Sequence, residues 1–170
     1  MYIFNNTVMP VGVDGQELVS HGTAAFPLVC YDCEYTDIAL PWHWRDELEV
    51  SVVLEGAMTF NLGGEKYILR PGEGLFVNSG VLHAGQNAGD GPCRVHSFVF
   101  HPRLVGGDPG SVFWQDYLSP LLAARSMEGW RYGLMCPARG RRWRASGEPI
   151  PPSGRSRRGI PSWCGSGCPG

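Results

Sequence analysis

Between Leu48 and Phe100 the chain is a succession of short apolar runs cut by tight-turn residues, with no room for a helix between them. Leu48–Leu54 is rich in β-branched residues, and Glu55-Gly56 marks its end. Ala57–Leu62 reads as a strand pairing back through that turn. Gly63-Gly64 is a two-residue hairpin signal, and residues 65–69 form the return strand. Pro71-Gly72 turns the chain again before Gly74–Val77. Asn78-Ser79-Gly80 reads as a loop, and Arg94–Phe100 is the last clear strand. Strands following one another at such close spacing predict an all-β fold, a small double-stranded antiparallel β-barrel of the jelly-roll kind, with a helix C-terminal to it.

The flanks divide the rest of the chain. Residues 1–24 are polar and turn-rich and read as an N-terminal arm with a short strand at its start. Residues 25–103 hold the barrel, opening with the strand-like stretch from Phe26 to Tyr35. Residues 104–132 read as a linker and helix: Val112, Phe113, Tyr117, Leu118, Leu121 and Leu122 form a helical stripe that should pack on the barrel, the other reading being a dimer face, with Pro120 kinking or breaking the helix. Residues 133–170 sustain neither a helical nor a strand period and are dominated by Arg, Gly, Pro, Ser and Trp. That composition is expected of a GC-rich gene read out of frame, and a shifted frame of permissible codons gives an amphipathic helical sequence. The tail is therefore expected to be a frameshift or truncation product, disordered or poorly packed; the other reading is a basic nucleic-acid-binding tail.

Charge sharpens this division. The formal net charge of −2 hides an acidic body and a basic tail. Residues 1–124 carry five basic and 14 acidic residues, and residues 125–170 carry nine Arg and two Glu. The body is thus ill-suited to bind nucleic acid by charge. No apolar run approaches a membrane span, and residues 1–6 lack the basic and apolar regions of a secretory signal. A cytoplasmic location with reduced thiols is expected for the six Cys. Cys30 and Cys33 mimic a CxxC motif, but on a strand they point to opposite faces.

Two polar clusters carry the chemistry. His43, Arg45 and Glu49 would share one face if residues 43–49 were a single extended strand. His83 follows the turn after Gly74–Val77 and could reach the same cavity. Two His and one carboxylate suit Fe, Mn or Zn with open coordination positions. Arg45 opposes that use, because a guanidinium stays charged and has no lone pair to donate. The favoured expectation is a metal-free pocket formed by His43, Arg45, Glu49, His83 and His96, with Arg45 available for a carboxylate or hydroxyls. If a metal is held, its ligands are His43, Glu49 and His83. Trp42 and Trp44 should face away from His43 and pack on the arm or on a partner.

The spacing His43-x-Arg45-x3-Glu49-x6-Gly56, followed by Pro71-Gly72 and His83, resembles the paired motifs of the cupin superfamily. That resemblance implies a barrel with the site in its mouth. It puts His43, Glu49 and His83 on ligand positions and leaves Arg45 where metal-binding members carry His. The longer runs at 41–56 and 69–83, with those at 100–107 and 111–122, resemble the N-terminal sensor half of AraC-type transcription regulators. The resemblance implies a domain that binds a small-molecule effector such as a sugar or other metabolite and contributes to a homodimer. DNA is then contacted only through a helix-turn-helix half, which this sequence is expected to lack, and no catalysis is implied. The alternative is a stand-alone metal-dependent cupin enzyme, an isomerase or dioxygenase.

Overall fold

The computed structural model describes residues 2–5, 9–37, 39–124 and 126–133. The expected frameshifted tail, from residue 134 on, lies outside them. Among the described residues ten strands form two sheets: β1 (Tyr2–Asn5), β2 (Leu28–Tyr35), β3 (Leu40–His43), β4 (Leu48–Glu55), β5 (Met58–Leu62), β6 (Glu65–Leu69), β7 (Glu73–Val77), β8 (His83–Asn87), β9 (Cys93–Phe100) and β10 (Gly129–Gly133). The larger sheet has the order β1-β2-β9-β4-β7-β10 and the smaller β3-β8-β5-β6. All pairings are antiparallel except that of β1 with β2. The fold is all-β, with the core between the two sheets.

Strand alternation explains which side chains meet there. Val53, Leu75, Val77 and Val95 come from the larger sheet, and Met58, Phe60, Leu62 and Leu69 from the smaller. All eight are buried. Each such burial contributes about 1.5–3 kcal/mol relative to exposure, so this layer is the main cohesive element of the barrel.

The turns behave in two ways. Gly63 (φ 58°) and Gly64 (φ 79°) close a true hairpin between β5 and β6, as the Gly-Gly signal predicts. Positive φ at both central residues matches the twist of the paired strands. The Glu55-Gly56 turn does something else. β4 pairs with β7 and β9, and β5 pairs with β6 and β8, so β5 does not pair back on β4. The turn carries the chain from one sheet to the other. Local signals mark where a strand ends but not which partner the next one finds.

The segment after the barrel departs from one packed helix. α1 (Arg103–Gly106) is a single turn, and Phe113–Leu118 is a π-helical turn that runs into α2 (Ser119–Ala123). The Ser119 N–H bonds the Trp114 carbonyl five residues back. Pro120 sits at the start of α2. It has no N–H to donate and its ring would strike the carbonyl four residues earlier, which a locally widened helix avoids. Of the predicted stripe only Leu118 is buried, beside Gly106 and Trp114, whereas Val112, Phe113 and Tyr117 stand exposed. The chain then forms β10, which the sequence did not reveal. β10 joins the edge of β7, and the Tyr132 hydroxyl donates to the Ser51 carbonyl at 2.8 Å. No helix among the described residues is long and apolar enough to cross a membrane.

Gly56 (φ 73°) has no room for a side chain: a Cβ would lie 2.5 Å from the Pro92 carbonyl oxygen. Gly56→Ala is expected to destabilise the protein by about 1–3 kcal/mol through the left-handed backbone and this clash, read as a lower midpoint in urea.

Candidate functional site

The two sheets bring the polar clusters together by a route the extended-strand reading did not foresee. β3 ends at His43, Arg45 lies in the connection after it, and Glu49 is on β4 in the other sheet. His43 faces His83 directly as its partner in the β3–β8 pairing. Their rings lie 4.1 Å apart between centroids. The smaller sheet therefore supplies both imidazoles, the larger sheet supplies the carboxylate, and the guanidinium comes from the turn joining them.

Arg45 is the hub of this cluster: its two Nη atoms are hydrogen-bonded, and its Nε meets a carboxylate by charge alone. Nη1 donates to Glu49 Oε2 at 2.7 Å. Nη2 donates to His43 Nε2 and lies 3.5 Å from His83 Nε2. Nε lies 2.8 Å from Glu17 Oε2, on the segment preceding β2. Glu49 also faces His83 Nε2 at 3.4 Å and accepts from Ser51 Oγ at 2.5 Å. Arg45, Glu49, His43 and His83 are all buried. The imidazole Nδ1 atoms donate to backbone carbonyls, His43 to Pro41 and His83 to Val81 at 2.8 and 2.9 Å. Since a carbonyl only accepts, Nδ1 carries the proton and Nε2 points to the cluster centre.

The electrostatics follow from these contacts. Burial alone would raise the pKa of Glu49, but Arg45, His83 and Ser51 together hold it well below the usual carboxylate range. Glu17 is likewise lowered, because His21 and Arg45 outweigh its burial. Burial, then the neighbouring His83 and Arg45, push His43 down to about 4. Two anionic carboxylates thus flank one guanidinium, and His43 is neutral at pH 7.

Arg45 and Glu49 form the polar base of a cavity of about 280 Å³. His43 and His83 are not in its lining; both are buried and meet Arg45. Leu40, Val99 and the arm residues Met9 and Val19 give it apolar walls, and Tyr31, Cys33 and Tyr35 line it from alternate positions of β2. Tyr31 is pushed up to about 12 by burial and Glu17, so its hydroxyl stays protonated. His96 does not join the site. On β9 the inward positions are Val95, Ser97 and Val99, which puts His96 on the outer face, 3.3 Å from Asp32, with Arg94 also bound to that carboxylate. Cys30 likewise faces away from Cys33.

Sequence reasoning missed Glu17 and His21. They sit 3.2 Å apart in the turn-rich arm, where no periodicity marks an inward position. The β2 series of Tyr31, Cys33 and Tyr35 had the period-two signal that could have found it. Trp44 docks on the arm, its indole N–H donating to the Asp14 carbonyl at 3.1 Å, whereas Trp42 is exposed.

His43, Glu49 and His83 offer ligand atoms within 4.8 Å of one another, the geometry of a metal triad. As the side chains stand they do not fit a divalent ion. The Arg45 guanidinium lies among the same three atoms and is bonded to two of them.

Against this geometry, the profile of the AraC-like ligand-binding domain family matches residues 26–132. The chain belongs to that family. It is 33% identical over 115 residues to the uncharacterised HTH-type transcriptional regulator YdeC of Bacillus subtilis strain 168, a match covering 66% of this chain and 38% of that protein. Among solved structures it is similar to an RmlC-like cupin from Shewanella frigidimarina NCIMB 400 (20% identity, TM-score 0.41, 44% of this chain and 66% of that one). It is also similar to the DMSP lyase DddQ of Ruegeria pomeroyi DSS-3 (25% identity, TM-score 0.40, 44% and 38%). In this AraC-like ligand-binding domain Arg45 occupies the space between His43, Glu49 and His83.

These shifts make stability depend on pH. The unfolded chain takes up a proton at His43 near pH 6.5, which the folded chain refuses until about 4, so stability falls as pH falls through that window. The lowered Glu17 and Glu49 add their own loss only below their ordinary value of 4.5. Unfolding in urea is expected to lose about 2–3 kcal/mol between pH 7 and 4.5, and His43→Asn to flatten that slope.

Proposed function

We propose that this cavity is the effector site of the sensing half of an AraC-type transcription regulator. The family membership supports a sensing domain, and the buried cluster of Glu17, Arg45 and Glu49 at the base of an apolar-walled cavity carries the effector reading. The cavity has the size for one small metabolite. Arg45 is committed to partners inside the protein, so it is not free to receive a carboxylate, contrary to the simplest expectation for a pocket arginine. The effector is therefore a neutral hydroxylated molecule, such as a sugar or related metabolite. Its hydroxyls donate to the carboxylates and Ser97, and its apolar face lies on Val19, Val99 and the tyrosines.

On this reading the domain is a sensor and not an enzyme, it works without a metal, and it is cytoplasmic. DNA contact belongs to a helix-turn-helix unit of the kind named in its Bacillus relative, of whose length the match covers 38%. The exposed Val112, Phe113 and Tyr117 after the barrel offer an apolar face for pairing two copies. Light scattering is expected to give a dimer that Phe113→Glu shifts toward monomer.

Calorimetric titration of pentoses, hexoses, polyols and matched sugar acids tests the effector class. A neutral member is expected to bind, and Ser97→Ala to weaken it about 5- to 30-fold, the loss of one hydrogen bond to a bound ligand. Tighter binding of the acids than of every neutral compound would refute the assignment.

A further inference from the structure

The Arg45 guanidinium is doing the electrostatic work of an ion. Its Nη2 meets His43 Nε2, its Nη1 meets Glu49 Oε2 at 2.7 Å, and His83 Nε2 lies 3.5 Å from Nη2. The ligand atoms these three side chains offer are themselves mutually within 4.8 Å. The supports around them are those of a rigid ligand set. Each imidazole is fixed through Nδ1 by a backbone carbonyl, and Glu49 is held by Ser51, which in turn meets Ser97 Oγ at 2.7 Å. Such outer contacts orient ligands on a metal. Here they orient the same atoms on an arginine.

We propose that Arg45 is a tethered internal cation filling a latent divalent-metal site, and that removing its side chain turns His43, Glu49 and His83 into a working transition-metal centre. Two facts carry this. The donor set is two imidazoles and one carboxylate, the combination that binds divalent first-row metals with positions left open. In addition, with Arg45 gone, Glu49 and Glu17 would be two buried carboxylates with no arginine beside them, a charge state that a divalent ion at about 2.0–2.2 Å from its ligands would neutralise. Conversely, a divalent ion entering beside the guanidinium meets a like charge at contact distance in a buried site. That repulsion corresponds to an affinity loss on the order of 100- to 1,000-fold. The inference does not depend on which effector the cavity takes.

Equilibrium dialysis against Zn(II) and Co(II), with metal measured by mass spectrometry and the Co(II) d–d absorption read in parallel, tests it on the full chain. Wild type is expected to retain far less than one equivalent. Arg45→Ala is expected to retain about one equivalent, bound on the order of 100-fold tighter or more, with a visible Co(II) band. The double variant Arg45→Ala/His83→Ala is expected to lose both signals. Where Arg45→Ala is unfolded in metal-free buffer, return of its far-ultraviolet signature and cooperative melting on adding Zn(II) is the supporting result. Methylguanidinium should raise the melting temperature of Arg45→Ala and leave wild type unmoved. Stoichiometric metal in wild type overturns the proposal. So does Arg45→Ala that binds no metal when folded, or that neither Zn(II) nor methylguanidinium restores when unfolded.

Discussion

One buried guanidinium ties together the parts of this domain that the strands alone leave separate. Arg45 reaches Glu49 on β4, His43 on β3, His83 on β8 and Glu17 in the N-terminal segment. Those contacts span both sheets and the arm. An arginine suits this role because its charge is permanent and its nitrogens form a rigid fork. Desolvating three charges is costly, so the cluster is not the source of the fold's stability. It sets which side chains face one another at the base of the cavity, and the apolar layer around Phe60, Leu62 and Leu75 supplies the cohesion.

The same cluster decides the chemistry of the site. The two sheets place two imidazoles and a carboxylate around one point, and a cation belongs there on electrostatic grounds. Supplying it covalently engages His43 and Glu49 through the two Nη atoms and pairs Nε with Glu17 by charge. What remains for a ligand is the other side of Arg45 and Glu49: carboxylate oxygens, hydroxyls and apolar walls.

Much of the architecture was legible because each strand leaves a local trace. β2, β4, β5, β6, β7 and β9 lie in the apolar runs, and the Gly63-Gly64 hairpin lies at its signal. β8 was hidden because His-Ala-Gly-Gln-Asn at 83–87 has no β-branched residue. β10 was hidden because Gly129–Gly133 owes its extension to the edge of β7. The Val112–Leu122 stripe was real as a helical period, but periodicity cannot say whether a face meets the barrel, and most of this one does not.

For the site, spacing and residue type put His43, Arg45, Glu49 and His83 in one constellation, and the chemistry of arginine argued against an ordinary metal centre while leaving His43, Glu49 and His83 as the alternative ligand set. These are statements about covalent structure: which atoms can donate, accept or hold charge. Only the tertiary structure decided the rest. It placed His96 with Asp32 on the outer face, brought Glu17 and His21 from a featureless segment to the cavity, and consumed the Arg45 nitrogens internally. Those outcomes depend on which sheet a strand joins and on how far apart two segments end up in space. A one-residue change of register would reverse them while leaving every local propensity intact.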